Sequence, residues 1–455
     1  MMENLSDVAR RLDASLHGAD AAFARVVTDT RQLQPGDLFV ALVGERFDGH
    51  DYVQRALALG AVGALVSRLV DAGGSQILVP DTLDGLQRFA RSWRQDFDIP
   101  VIGITGSSGK TTTKQIMAAV AAERGPVLAT EGNLNNHIGV PLTLLKLRRE
   151  HRTAVIEMGA NHHREIAQLA SFALPQIGIV TQAGDAHLEG FGSREGVAHA
   201  KGELFEALDG GVAVINADDP YAPLWRRLAA KASVLSFGLS PEADVRAEAV
   251  TGVPEHAPTA TAFTLIAPSG SIRVEIALPG AHNVSNALSA AAAGLAMGLT
   301  IEQIAAGLAR VAPVAGRLNW KTTREGARLL DDSYNANPTS LRAAMNLLAS
   351  LPGQRVLVLG EMRELGPDAA TIHEDAGRDA RALGIERLYT LGAMAQHAAD
   401  GFGAQARGFE QIDDLVAALR DDLNEGVTVL VKGSRGARME RVVAALTGSA
   451  AEGAH

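Results

Sequence analysis

The chain contains no cysteine. That absence removes disulfides, thiolate nucleophiles and cysteine-bound zinc, and it fits a cytoplasmic protein. Positive charge is also in short supply: the formal net charge is −10 and the pI about 5.7. A nucleic-acid surface needs clustered Lys and Arg to neutralise phosphates, so any phosphate bound here must be held by local loops and metal rather than by a global field. Long apolar runs are missing as well. Residues 1–16 mix charges at helical spacing and have no continuous apolar stretch, which excludes a signal peptide. The most apolar segment, residues 284–299, is rich in Ala and Gly and carries Ser285, Asn286 and Ser289. It reads as a buried helix and not as a membrane span. No internal repeat or low-complexity stretch is found.

What is present describes a soluble globular protein. A chain of 455 residues with 47% hydrophobic and 21% charged residues exceeds what one core usually serves, so about two to four domains are expected.

The most informative stretch is Val101-Ile-Gly-Ile-Thr-Gly-Ser-Ser-Gly-Lys-Thr-Thr-Thr-Lys114. Its apolar start reads as a buried parallel strand, Gly106, Ser107, Ser108 and Gly109 as a turn with little side-chain bulk, and residues 110–120 as a helix. Such a turn directs backbone N–H groups and the positive end of a helix dipole at one point, which suits a polyphosphate. Thr105 opens the motif, Lys110 reaches the outer phosphates and the Thr111 hydroxyl ligates Mg²⁺. The position where the general phosphate-loop pattern wants its first glycine is Ile104, so the motif is the shorter Thr-Gly-x-x-Gly-Lys-Thr form. An ordinary strand-to-helix turn is the competing reading.

Before this stretch, residues 1–81 read as a small α/β unit. A helix is expected over 5–16, strands over 26–31, 38–42 and 64–66, and a helix over 52–59. Its polar loops, with Asp29 and Arg31 in one and Asp48 and His50 in the other, are open to two readings, a ligand site or plain turns. A helix over 83–97 ends before Pro100. From 101 to 313, apolar runs at 153–157, 176–181 and 211–216 alternate with helical patterns. That alternation predicts a doubly wound parallel sheet with ligands at the carboxyl ends of its strands.

Glu157 stands at one of those ends and is the candidate second Mg²⁺ ligand. His187 follows the next strand, and on its own it reads as a hydrogen-bonded loop histidine. The run Asn133-Leu-Asn-Asn-His-Ile-Gly-Val-Pro141 sets Asn135 and Asn136 beside one another. It suits a polar or phosphate-linked substrate, with turn formation as the alternative. Residues 237–280 read as a β-rich excursion, with antiparallel strands over 262–266 and 271–278 and a turn at 267–270. Asn283 and Asn286 then start a helix, which they cap or from which they touch a base, capping being favoured by spacing.

From 314 to 455 the α/β pattern restarts, with strands at 327–331, 355–359, 387–390 and 428–431. The basic glycine loop Lys432-Gly-Ser-Arg435, which includes Ser434, follows the last of them and suits an anion such as a carboxylate or phosphate, a solvated loop being the alternative. The final residues, 450–455, are expected to fray.

Taken together, the segments Thr105 to Thr112, Asn133 to Pro141, Glu157-Met-Gly159, His187, His282-Asn-Val-Ser-Asn286, Gly316-Arg317 and Lys432-Gly-Ser-Arg435 resemble the Mur ligase family, the ATP-dependent amide-forming enzymes of peptidoglycan synthesis. Within that family, Asp331-Asp-Ser-Tyr-Asn-Ala-Asn-Pro338, Gly360-Glu-Met-Arg-Glu-Leu-Gly366, Asp29-Thr-Arg31 and Asp48-Gly-His50 are similar to the members that join D-alanyl-D-alanine to UDP-N-acetylmuramoyl-tripeptide. The Asp-Asn-Pro-Arg motif typical of the members that add the third residue is absent. The resemblance implies a UDP-sugar domain over 1–81, an ATPase domain over 82–313 and a Rossmann-like C-terminal domain over 314–455. It implies ATP and Mg²⁺, with Lys110 and Thr111 on the phosphates and metal, and Glu157 and His187 as metal ligands. It further implies Asn283 and Asn286 near the adenine, Arg317 and Asp332 facing the nucleotide, and Lys201 carbamylated to bind a second Mg²⁺. Asp29, Arg31, Asp48, His50, Asn135, Asn136, Asn337, Lys432 and Ser434 are the expected substrate contacts. The expected protein is a cytoplasmic monomer. Two alternatives stand beside this reading: a nucleotide-hydrolysing regulatory module, and a related ligase acting on folate or polypeptide acceptors.

Overall fold

The computed structural model describes residues 1–253 and 259–449. The C-terminal residues 450–455, expected to fray, lie outside them. Three α/β units follow one another, each built on its own sheet.

In the first unit the strands lie in the spatial order Ser15–His17, Ser75–Leu78, Gly63–Val66, Leu38–Val40 and Val26–Val27. All pairs are parallel except the first. The opening helix is shorter than its pattern suggests, spanning Leu5–Leu12. Asp13 takes the left-handed conformation at φ 52° and closes it, as a short polar side chain can at a helix end. The chain then turns into Ser15–His17 against Ser75–Leu78. That second strand has no apolar signature, because Ser75 and Gln76 are buried through hydrogen bonds to Ala19 and Val70 carbonyls.

The central sheet has nine strands among the described residues. Its parallel core runs Ser233–Gly238, Val212–Asn216, Ile177–Val180, Val101–Thr105, Thr153–Glu157, Val127–Ala129. The β-rich excursion is an extension of the same sheet. Val245–Val253 pairs parallel with Ser233–Gly238, and Ala260–Ala267 and Gly270–Ile276 add antiparallel strands with Ala267 opposite Gly270. The Ala-rich helix Ala281–Ala296 is buried along most of its length and packs on the helix Lys110–Ala121. Among the described residues no helix is long and apolar enough to cross a membrane.

The third sheet runs Asn319–Thr322, Arg328–Asp332, Val427–Lys432, Gln354–Gly360, Arg387–Leu391, Ala406–Phe409, parallel except at the first pair. Its two edge strands carry Asn, Lys, Arg and Gly and escape a hydrophobic pattern, since an edge strand need bury only one face.

The units are joined in two physically different ways. The helix Thr82–Gln95 inserts Leu86, Phe89, Ala90 and Trp93 into one apolar core that continues from Leu5 and Val8 of the first unit to Val101 and Ile156 of the second. Phe89 sits edge-on between Phe23 at 6.3 Å and Trp93 at 6.5 Å. The third unit keeps separate cores on the two faces of its sheet and meets the others through the polar contacts described below. Truncating Phe89 to Ala should therefore cost about 3–5 kcal/mol. Chemical denaturation should show the first two units losing stability together while the third unit's transition stays in place.

Candidate active site

Pairing of Val101–Thr105 with Thr153–Glu157 on one side and Ile177–Val180 on the other brings three strand ends to one point. The turn after the first strand needs its glycines. Gly106 has φ +145°, and a Cβ there would overlap the Thr181 hydroxyl. Gly109 has φ +83° and lies so close to Asn286 that a Cβ would stand 2.6 Å from Oδ1. The loop is tied down from neighbouring strands: Thr105 Oγ1 donates to Met158 O, Ser107 Oγ to Gly184 O, and Thr181 Oγ1 to Ser108 O. Lys110 donates to Gly106 O at 2.7 Å, and burial holds its pKa below the usual lysine range. Ser107 to Thr111 line a cleft of about 1190 Å³ between the central and third units. Thr105 is fully buried behind it.

The buried carboxylate of Glu157 is the centre of this cleft. Oε1 accepts from Asn135 Nδ2 at 2.8 Å and Thr111 Oγ1 at 3.3 Å, and the backbone N–H donates to Thr130 Oγ1. Oε2 is buried without a hydrogen bond, with Lys114 Nζ 3.8 Å away and itself fixed on Thr130 O. A buried carboxylate oxygen left open is costly unless a cation meets it. Among the described residues no three His, Asp or Glu side chains form a metal cage. A hydroxyl and a single carboxylate, supplemented by phosphate oxygens and water, is the donor set that suits Mg²⁺ rather than a protein-caged metal.

The third unit reaches into the same place. Arg317 Nη2 donates to Thr111 Oγ1 at 3.0 Å, and its guanidinium lies 4.5 Å from the Tyr334 ring centroid. Arg435 approaches the same ring at 5.5 Å. Asn337 caps the helix Pro338–Ala349 through Ser340 N and donates to Ser107 O of the phosphate loop. Lys432 pairs with Asp332 and donates to Asn335 O. Burial raises the Asp332 carboxyl, with Lys432 opposing that shift. His187 lines the cleft, and its buried Nδ1 lies 2.5 Å from Glu364 Oε2 across the two units, close but without hydrogen-bond geometry.

Asn283 and Asn286 also line the cleft, but as partners of one another and not as caps. Gly280 is the N-cap of their helix, and its side-chain-free start leaves Asn283 to donate to Pro279 O. Asn286 donates to Asn283 Oδ1 and accepts from Thr113 Oγ1 on the phosphate-loop helix. Capping fails because the helix begins two residues earlier than the spacing implies. Asn136 turns its Oδ1 onto the N–H groups of Ile138 and Gly139, so one of the two adjacent amides serves the turn while Asn135 serves Glu157.

Other expected site residues lie apart from the cleft lining. Lys201 is fully buried behind it, donating to Ala160 O at 3.2 Å over the Phe191 ring, and burial followed by the charge of Lys110 pushes its pKa down to about 7. Ser434 donates to Glu361 O within the third unit. Asp29 pairs with Arg31 and Asp48 with His50, both in the first unit. His50 Nε2 accepts from Ser67 N–H, which places the ring proton on Nδ1 toward Asp48 at 2.6 Å. The His50 backbone N–H and ring hold the Asp48 carboxyl at about 2. With both ring nitrogens engaged, His50 shapes its loop while Asp48 faces outward to Arg68. Tyr334 in the cleft and the buried Lys114 beside Glu157 are passed over by motif reasoning. The signal for Lys114 was its place one helical turn after Lys110.

A strand, a glycine turn and a helix facing a cleft between two α/β units, with a buried carboxylate beside them, define a nucleotide-using enzyme of the phosphate-loop class. Family models match three segments: "Mur ligase family, catalytic domain" over residues 23–93, "Mur ligase middle domain" over 104–294 and "Mur ligase, glutamate ligase domain" over 316–435. The UDP-N-acetylmuramoyl-tripeptide–D-alanyl-D-alanine ligase of Escherichia coli is 45% identical, covering 97% of this chain and 98% of that protein. A crystal structure of MurF from Acinetobacter baumannii superposes with a TM-score of 0.91 at 35% identity, covering 98% of both chains. The MurF ligase of Thermotoga maritima in complex with ADP gives 0.84 at 28% identity, covering 93% and 97%. The chain belongs to the Mur ligase family.

Replacing Gly106 with Ala should weaken nucleotide binding by about tenfold or more, since strain of 1–3 kcal/mol in the left-handed region adds to the overlap with Thr181. Calorimetric titration with ADP checks this, with circular dichroism confirming an intact fold.

Proposed function

We propose that the chain joins D-alanyl-D-alanine to UDP-N-acetylmuramoyl-tripeptide at the expense of ATP, as a step of peptidoglycan precursor synthesis. The observation that carries this reading is full-length similarity to ligases of that name in a chain whose cleft unites a phosphate cradle and an open buried carboxylate. The described chemistry is that of carboxylate activation. A carboxylate is a poor electrophile, so its conversion to an acyl phosphate by the γ-phosphoryl group lets an amine displace phosphate and form the amide.

Two anions must approach one another in the first step, and the barrier falls when fixed positive charge meets them. Lys110 takes the outer phosphates, leaving its resting contact with Gly106 O. Thr111, Glu157 and His187 would hold Mg²⁺, which when bound supplies further neutralisation. Arg317, gripped on Tyr334, moves from the Thr111 hydroxyl to the nucleotide. Asn283 and Asn286 face the base, and Asp332, fixed by Lys432, faces the nucleotide from the third domain. Asn135, Asn136, Asn337 and Lys432 shape the peptide end of the cleft, and Ser434 holds the Lys432 loop from behind it through Glu361 O. The loops of Asp29–Arg31 and Asp48–His50 receive the UDP group in the first domain. The division of labour follows the domain limits 1–81, 82–313 and 314–455, in a cytoplasmic monomer. Closure of the third domain excludes water from the acyl phosphate.

Lys201 is proposed to be carbamylated. The reaction with CO₂ needs the neutral amine, whose share grows as pH rises through the folded value of about 7. That depression makes the neutral form common at physiological pH, whereas an ordinary lysine stays protonated.

The test is phosphate release from ATP with Mg²⁺, both peptide substrates present or each omitted. Release that needs both, with a product heavier by the dipeptide, is expected. Steady release without either would instead indicate a hydrolysing regulatory module, and release with folate or polypeptide acceptors a related ligase. In CO₂-free buffer the same release should fall and recover with bicarbonate, and an unchanged rate would exclude carbamylation of Lys201.

A further inference from the structure

The segment Gly360-Glu-Met-Arg-Glu-Leu-Gly366 has no part in the mechanism above, yet it is the piece of the third domain that reaches His187. It is firmly built. The Glu361 carbonyl accepts from both the backbone and the hydroxyl of Ser434, its carboxylate accepts from Met394 N–H, and Met362 N–H donates to His373 Nε2. Met362 and Leu365 are buried. From this base Glu364 projects with φ +63°, and the residue it meets, His187, has φ +54°. Both lie in the left-handed region that L side chains avoid, one on each side of a domain boundary. Strained non-glycine backbone of this kind persists where surrounding structure enforces it and gathers at functional sites.

The two side chains meet at 2.5 Å between Glu364 Oε2 and His187 Nδ1. The ring is also held edge-on to Phe191 at 6.4 Å, and a Cβ added at Gly366 would stand 3.7 Å from the backbone of Glu189 in the short helix that His187 caps. With the carboxylate set against Nδ1, Nε2 is the ring nitrogen left for the cleft that His187 lines. A carboxylate on one ring nitrogen is the usual device that sets the tautomer and orientation of a metal-binding histidine. In this chain the carboxylate and the histidine belong to different domains.

We propose that Glu364 is a positioning residue for His187, presenting Nε2 to a divalent cation only when the third domain is docked. Cation binding and domain docking are thereby coupled: the cation favours the docked arrangement because only there is its histidine ligand oriented, and the coupling is reciprocal. The inference rests on the reading of His187 as a metal ligand.

The experiment measures Mn²⁺ binding to the intact enzyme with ADP present by electron paramagnetic resonance, alongside calorimetric titration with ADP in the absence of metal. Wild type, Glu364→Ala, Glu364→Gln and His187→Ala are compared. Loss of a residue that orients a metal ligand typically lowers metal affinity about ten- to hundredfold. That loss is expected for Glu364→Ala, with a smaller one for Glu364→Gln, whose amide keeps the size of the carboxylate but not its charge. Metal-free ADP affinity should stay at the wild-type value in both, which a merely structural role would not predict. A loss in His187→Ala with wild-type Mn²⁺ affinity in both Glu364 variants would overturn the inference alone. Unchanged Mn²⁺ affinity in all three variants would overturn it together with the metal-ligand reading of His187.

Discussion

The contact on which the cleft depends is the hydrogen-bonded embrace of one buried carboxylate. Glu157 ends an apolar strand at the sheet centre, 2% exposed, with Asn135 and Thr111 on one oxygen and only the Lys114 ammonium, at 3.8 Å, near the other. A charge in that position is tolerable because Lys114 lies close and because the open oxygen is a place for a cation. Three elements meet here: the phosphate-loop helix supplies Thr111 and Lys114, the segment before Gly139 supplies Asn135, and the strand end supplies the carboxylate itself. The phosphate cradle and the carboxylate are thus one construction. Arg317 joins it from the third domain through the same Thr111 hydroxyl.

The way the domains are joined matches what the chemistry demands. A continuous apolar core makes the first two domains one body, so the distance between the loops of Asp29 and Asp48 and the glycine turn is set by packing. The third domain keeps its own cores and touches the cradle through Arg317, Asn337 and Glu364, all of them polar contacts to polar atoms. Polar contacts of this kind exchange readily for ligand contacts, because little hydrophobic area is lost when they open. An activated acyl phosphate needs water excluded while it waits for its amine, and substrates must still enter and leave. A rigid pair of domains with a third held by exchangeable polar contacts serves both needs.

Much of this was legible in the chain because its signals are local. The apolar strand followed by Gly106 and Gly109 announced the cradle, and Glu157 was marked by its place at the end of an apolar run. Ala267 to Gly270 announced the turn of the antiparallel extension. What local pattern could not show depends on partners far away in sequence. Ser75 and Gln76 form a buried strand only because Ala19 and Val70 satisfy them. Lys114 matters because Thr130 and Glu157 lie beside it. The spacing of Asn283 and Asn286 invites a capping assignment, which the glycine start of their helix removes. The buried ring of His50 is held by Asp48 and by Ser67, the second of them a partner that no motif reveals. The role of Glu364 required two domains to be seen together.

The central claim is that Glu157 turns a phosphate cradle into a site for a metal-bound nucleotide. Its most direct test is calorimetric titration of Glu157→Gln with ADP, once without and once with Mg²⁺. The amide keeps the shape and the hydrogen bonds of Oε1 but removes the charge, so metal-free ADP should bind as it does to the wild type while the gain in affinity from Mg²⁺ disappears. A Mg²⁺ gain equal to that of the wild type would contradict the account.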